Sequence, residues 1–292
     1  MEIYNLLRRV CLTKQNVNLK AMCSIKIGGI AKFVCYPSRI KQLKKLLKIL
    51  DQIGLKHFIV GKGTNIVFED GYRNFVFVST DKLKTIKIKK NVVSALCGAG
   101  LFALNNKLQS LGLGGLEWSY GIPGSIGGAI IMNAGAFGHE IGEFVKSVLV
   151  IDGGKYKVLT NKNLKFAYRS TVLKNSKLVV VKVNLILSYR NQQKIKEAQQ
   201  NYYNKRKELQ PYDKPSCGSV FLKTIDGSAG KTIDKLGLKG VKLGGMQISI
   251  KNANFFINLG NATSKDMHKL IKKVKALAKQ NGINLLEEVI FI

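Results

Sequence analysis

Glycine is concentrated where it could do chemistry. The stretch Gly121-Ile-Pro123-Gly124-Ser125-Ile-Gly127-Gly128-Ala129-Ile-Ile-Met-Asn133-Ala-Gly135-Ala-Phe-Gly138 carries almost no bulky polar side chain. Such a chain adopts positive φ readily and brings several backbone N–H groups together. A nest of that kind suits a pyrophosphate, and its small residues let a flat ring lie against the backbone. A shorter loop, Gly61-Lys62-Gly63-Thr64-Asn65, follows the apolar run Phe58-Ile59-Val60, as when a strand delivers backbone to a ligand. The bland alternative is a tight packing crossover. A single Gly-Gly pair would favour it, whereas the density of the longer run favours a ligand.

Two other glycine motifs fail on inspection. Gly98-Ala-Gly100-Leu-Phe-Ala103 follows a strand-like run and has an acid, Glu117, at a suitable distance. A Rossmann unit needs a second parallel strand ending at that acid, and residues 111–128 are too glycine-rich to supply it. Gly230-Lys231-Thr232 echoes a phosphate-binding loop, but Ile225 stands where its first glycine should be. Five cysteines (Cys11, Cys23, Cys35, Cys97, Cys217) include no Cys-x-x-Cys pair, which argues for reduced thiols rather than a disulfide frame or zinc site. His57, His139 and His268 lie too far apart for ligand spacing, so no metal is expected.

The net charge of +31 raises a different possibility, a nucleic-acid binder. Such a protein clusters its basic residues with interleaved aromatics, whereas the lysines here decorate nearly every segment. They read as solvated faces that also draw in anionic ligands, pyrophosphates and carboxylates. Neither a signal-peptide core near the N-terminus nor an 18-residue apolar run is present in the 292 residues. A cytoplasmic protein without membrane insertion is therefore expected.

The elements that must hold these loops follow from periodicity. Residues 32–36 read as a strand, Ser38 as an N-cap, and Ile40, Leu43, Leu46, Leu47 and Leu50 as the inner face of a helix that Gly54 ends. From 75 to 187 short β-rich runs dominate, with one helix near 101–110. A polar stretch from 189 to 210 suits a solvated connecting helix. Helical signals at 231–236 and 264–280 then alternate with β-like runs, an α+β pattern.

These residues, taken together, resemble a known family. Residues 123–138 resemble the flavin-binding segment of the UDP-N-acetylenolpyruvoylglucosamine reductases. Ser24-Ile-Lys-Ile-Gly-Gly29 and Val60-Gly-Lys-Gly-Thr-Asn-Ile66 resemble two further segments in the same order. The likeness continues through Tyr168-Arg169-Ser170, Gln210-Pro211, Pro215-Ser-Cys-Gly-Ser-Val-Phe221, Ala229-Gly230 and Glu288-Val289. One short motif would be weak, but an ordered series over nearly the whole chain is specific.

The resemblance implies an α+β protein with a two-part FAD-binding module of the vanillyl-alcohol-oxidase (PCMH) type and a C-terminal α+β substrate domain. Its divisions would be 1–72 and 73–190 for the two FAD-binding subdomains, 191–210 for a connecting helix and 211–292 for the substrate domain. FAD, held without a covalent link, would contact Gly61, Lys62, Gly63, Thr64, Asn65, Ile66, Gly121, Pro123, Gly124, Ser125, Gly127, Gly128, Ala129, Asn133 and Gly135. NADPH would donate hydride, passed on to the enolpyruvyl ether of UDP-N-acetylglucosamine enolpyruvate in peptidoglycan precursor synthesis. Arg169, Ser219 and Glu288 are the catalytic residues implied, with Glu287 the fallback for the acid. The shorter subclass, lacking an extra tyrosine-bearing loop, fits, and a monomer is expected.

Two departures stand out. Leu286-Glu287-Glu288 replaces a pattern with proline between two acids, and Leu222-Lys223-Thr224 lacks a proline common after the Ser219 segment. Two rivals remain. A different flavin oxidoreductase would share the glycine segments but has no use for the Arg169, Ser219 and Glu288 segments together. A basic nucleic-acid binder would be colourless, where a flavoprotein is yellow.

Overall fold

The computed structural model describes residues 2–225 and 227–292. A four-stranded sheet runs in the order Leu12–Asn18, Ile30–Tyr36, Tyr72–Ser79, His57–Val60. Its last two strands are parallel, with His57 opposite Val76. The helix Ile40–Gln52 links Ile30–Tyr36 to His57–Val60 and buries Leu43, Leu46, Leu47 and Leu50. Leucines three and four apart form one apolar stripe, and the lysines between them face outward. Ser38 does not cap this helix. Arg39 occupies the cap, and the Gln42 side-chain carbonyl accepts from Arg39 N, Ser38 N and Ser38 Oγ at 3.0–3.2 Å, doing from inside the helix what a serine cap would do from outside.

A second sheet of five antiparallel strands runs Lys155–Thr160, Val145–Asp152, Val179–Ile186, Val92–Leu96, Ile86–Lys89. A third, of four strands, runs Ser216–Ser219, Phe255–Asn258, Met246–Ile248, Lys242–Leu243. The polar stretch before it forms the helix Gln192–Leu209, and the apolar stripe near the C-terminus forms Ser264–Gln280.

The chain divides into two compact units that interleave along the sequence. The first holds Met1–Gln15, Phe33–Lys62 and Phe75–Asn204, and the second Asn16–Lys32, Gly63–Asn74 and Lys205–Ile292. The core of the first gathers Leu46, Val78, Val93, Leu104, Trp118, Ile130, Val148 and Val183. That of the second includes Leu19, Ile27, Phe68, Phe221, Phe256, Leu270 and Val274, all buried. Burial of this many large apolar side chains, at about 25 cal/mol per Å² removed from water, is what offsets the chain entropy of each unit. Among the described residues, no helix is long and apolar enough to cross a membrane.

Candidate active site

In the first unit the glycine run is bound to the turn that opens the helix Leu101–Ser110. Ile126 N donates to Ala99 O and Gly127 N to Cys97 O, both at 2.8 Å, and Leu101 N donates to Gly124 O at 3.0 Å. At Gly127 the approach is so close that a Cβ would stand 2.9 Å from both Cβ and O of Cys97. Burial also pushes the Cys97 thiol up to about 12, so it sits there as a neutral packing group. Ser125 caps the short helix Ile126–Ile131, its Oγ accepting from Gly128 N at 3.4 Å.

The same serine hydroxyl packs on Gly61, and Lys62 runs along Gly100, where an added Cβ would lie 3.1 Å from its Cε. The structure thereby sorts the candidate flavin residues. Gly121, Pro123, Gly124, Gly128, Gly61 and Lys62 keep accessible surface, while Ser125, Gly127 and Ala129 are buried and fix the backbone behind them. A lysine ammonium beside a Cβ-free main chain is the combination a pyrophosphate and a flat ring require, so these residues fit FAD.

Arg169 lies in the same unit. It sits at the tip of a turn closed by reciprocal bonds, Ala167 N to Ser170 O and Ser170 N to Ala167 O, each 3.0 Å. Its φ is +51°, a left-handed conformation costing a non-glycine residue about 1 kcal/mol. Its Nη2 donates to Gly135 O at 2.9 Å, and its Cζ stands 5.2 Å from the Tyr168 ring centroid. Asn133, expected to touch flavin, has its side chain engaged within the protein. Its Nδ2 donates to Glu140 Oε2 at 2.6 Å and to Ala167 O at 3.0 Å, and its Oδ1 accepts from Gly142 N at 3.1 Å.

The second unit gathers four segments. Ser24 Oγ donates to Ser216 O at 2.6 Å, and Ser24 N to Gly63 O at 3.1 Å. Asn65 Nδ2 donates to Glu288 O, and Ile290 N to Asn65 O, both at 3.0 Å. Glu288 N donates to Val220 O at 2.8 Å, one residue beyond Ser219. Ile66–Val67 pairs in parallel with Ile290–Phe291, so Ile66 serves the sheet. Asn254, which sequence reasoning missed, clasps the next residue from both sides: its Oδ1 accepts from Phe221 N at 2.9 Å and its Nδ2 donates to Phe221 O at 2.8 Å.

Ser219 follows Gly218, whose φ of +79° bends the strand between the paired residues Ser216 and Ser219. Cys217 is pushed up to about 12 by burial, with the charges of Cys23 and Glu288 adding to the effect. The two acids part company here. Glu287 is exposed and paired with Lys275 Nζ at 2.8 Å, while Glu288 is half-buried next to Cys217. Thr64 is half-buried and Gly63 buried against Met22 O and Cys23.

The comparisons with known proteins meet this geometry. Residues 31–160 match the model of an FAD binding domain, and residues 210–292 match that of the UDP-N-acetylenolpyruvoylglucosamine reductase C-terminal domain. The UDP-N-acetylenolpyruvoylglucosamine reductase of Thermotoga petrophila is 41% identical over 93% of this chain and 95% of its own. That of Caldicellulosiruptor bescii is 37% identical over 94% of this chain and 88% of its own. The crystal structure of UDP-N-acetylenolpyruvylglucosamine reductase from Thermus caldophilus superposes with a TM-score of 0.82 at 29% identity, covering 96% of this chain and 99% of that one. Fold and site thus define an FAD-dependent oxidoreductase, a two-part FAD-binding module followed by an α+β C-terminal domain. The chain belongs to the UDP-N-acetylenolpyruvoylglucosamine reductase family.

Proposed function

We propose that this enzyme reduces the enolpyruvyl ether of UDP-N-acetylglucosamine enolpyruvate to the lactyl ether of UDP-N-acetylmuramate, with NADPH as electron source. The main support, beyond family membership, is the bracketing of Glu288 by Val220 O and Asn65 Nδ2 one residue from Ser219. The FAD-binding module would follow 1–72 and 73–190, the connecting helix 191–210 and the substrate domain 211–292.

FAD held by the glycine run and by the Gly61 to Ile66 loop supplies the hydride chemistry when bound, relaying two electrons from nicotinamide to substrate. The chain's own residues do the rest. Lys62 and the accessible main chain of 121–128 neutralise the pyrophosphate. Hydride added to the terminal vinylic carbon leaves enolate charge between the adjacent carbon and its carboxylate. The Arg169 guanidinium binds that carboxylate and offsets the charge as it develops. Ser219 donates its hydroxyl proton to the adjacent carbon, which completes a saturated lactyl group. Serine is a weak acid, so the basicity of the enolate drives the transfer, and Glu288 assists as the neighbouring carboxyl. FAD is held without a covalent bond: Cys97 is packed behind Gly127, and His139 is engaged with Glu143 at 3.4 Å. The enzyme works as a monomer in the cytoplasm.

The test uses the purified enzyme. It should be yellow, should give up all colour on acid precipitation, and should turn over NADPH, beyond the one equivalent that reduces its flavin, only when the enolpyruvyl nucleotide is added. The product should weigh more than the substrate by two hydrogens. Flavin-containing protein that ignores this nucleotide would point to a different oxidoreductase of the same fold, and a colourless one to no flavin enzyme at all.

A further inference from the structure

We propose that Asn133 and Glu140 form an amide–carboxylate clasp that positions Arg169, making them positioning residues for the enolpyruvyl step. Asn133 is fully buried with φ +41°. A primary amide has two N–H donors and a carbonyl acceptor, and each is committed. The two donors meet Glu140 Oε2 and Ala167 O, and the oxygen takes the Gly142 N–H. Because both partners on one side are pure acceptors and the third is a pure donor, the amide has a single possible orientation.

Each bond leads to Arg169. Ala167 is the base of the turn that carries it, and the other side of that turn is moored by Thr171 Oγ1 donating to Ile131 O at 3.0 Å. Glu140 pairs with Gly135 across the two-residue strands Gly135–Ala136 and His139–Glu140. Gly135 is where the hairpin, the carboxylate stem and the guanidinium crowd together. A Cβ there would lie 2.6 Å from His139 O, 2.9 Å from Glu140 Cγ and 3.2 Å from Arg169 Nη1. The Gly135 carbonyl in turn accepts from Arg169 Nη2. One amide therefore fixes both ends of the arginine, its strained backbone through Ala167 and its guanidinium through Glu140 and Gly135. An arginine at positive φ persists only when its surroundings over-determine it, and this clasp acts there together with the turn's own bonds and Lys174 Nζ, which donates to Arg169 O at 3.3 Å.

The inference rests on the proposed function, and the parent enzyme separates the two. A parent that cannot reduce the enolpyruvyl nucleotide sinks the functional reading before any variant is made. With an active parent, two variants at half-buried Glu140 decide the clasp. E140A removes the acceptor, and E140Q keeps an oxygen acceptor for Asn133 Nδ2 while removing the charge. Stopped-flow absorbance follows flavin reduction by NADPH and reoxidation by substrate separately. E140A should keep its flavin and its NADPH step, raise KM for the nucleotide and slow reoxidation by about tenfold. E140Q should recover most of that loss.

A buried carboxylate in N133D sets two like charges together and should slow reoxidation further, by about thirtyfold. The double variant N133D/E140Q supplies an amide donor toward the introduced carboxylate and should recover at least part of it. If E140Q is as slow as E140A, the charge of Glu140 matters and the clasp does not. If the variants lose flavin or the NADPH step while reoxidation stays normal, Asn133 serves the cofactor and the proposal is wrong.

Discussion

The first unit holds its functional residues by capture of their side chains and close backbone contact, the second by bonds made to their main chains. Arg169 is strained, stacked on Tyr168 and bonded to Gly135 O, and its neighbours leave no room for extra atoms. Ser219 and Glu288 are instead placed by their main chains: Ser219 pairs with Phe255, and Glu288 bonds through N to Val220 and through O to Asn65. The bonds that place Ser219 and Glu288 in this way run to their main chains, whereas Arg169 is also held through its guanidinium. The proposed reaction, which binds a cofactor first and moves one proton last, suits that division.

The comparison is tested most severely at Ser219. Ser219→Ala should fold, bind FAD and accept hydride from NADPH at close to the parent rate, because its strand is held through the backbone. Transfer to the enolpyruvyl substrate should fall by roughly 10²-fold or more, the scale of a positioned proton donor. Stopped-flow traces report both halves, and a variant that stalls at NADPH reduction would mean the serine places the nicotinamide or the flavin. Cys217→Ala is the control, having no assigned chemistry.

A smaller effect distinguishes the adjacent acids. Glu288→Gln should slow substrate reduction by about tenfold or more, while Glu287→Gln loses an exposed pair with Lys275 worth no more than about 1 kcal/mol. Turnover numbers with saturating nucleotide decide it, and equal losses at both positions would erase the distinction.

In the first unit the corresponding probe is Gly127→Ala. Its methyl must displace Cys97, so flavin affinity should drop by about tenfold and thermal stability by about 1–3 kcal/mol. Fluorescence titration of the apoprotein with FAD measures the first, and unchanged affinity would mean that the loop tolerates movement. The smallest effect concerns thiols. Burial holds Cys97 and Cys217 neutral, with values near 12, so iodoacetamide at pH 8 should leave both unmodified in the native enzyme and label them in denaturant.

Much of this organisation can be read from local pattern. Ile40–Gln52 announces itself through its leucines, and the glycine run through sheer density. Lys155–Thr160 does not, because four of its six residues are exposed in a row at the sheet edge, yet Gly153-Gly154 at φ +50° and +78° is a hairpin signal that could have revealed it. Leu12–Asn18 is another polar edge strand, with Thr13 its one buried residue, and sequence periodicity passes over it. The four segments around Ser219 and Glu288 are each recognisable in the sequence, but not their meeting. The hydrogen bonds of Asn133 resist reading for the same reason: its partner Ala167 lies 34 residues away.

The bond from Asn65 to Glu288 spans 223 residues, and the parallel pair Ile66–Val67 with Ile290–Phe291 closes a similar distance. Such pairing is a late event for a chain made from its N-terminus. Residues 16–32 and 63–74 must wait through the synthesis of everything between, while the interleaved first unit has all its parts once residue 204 has emerged. Assembly of this enzyme should therefore be sequential, the first unit settling first and the second last. During that wait Ile66–Val67 lacks the strand it pairs with in the finished fold, and that interval is when the nascent protein is most exposed to aggregation.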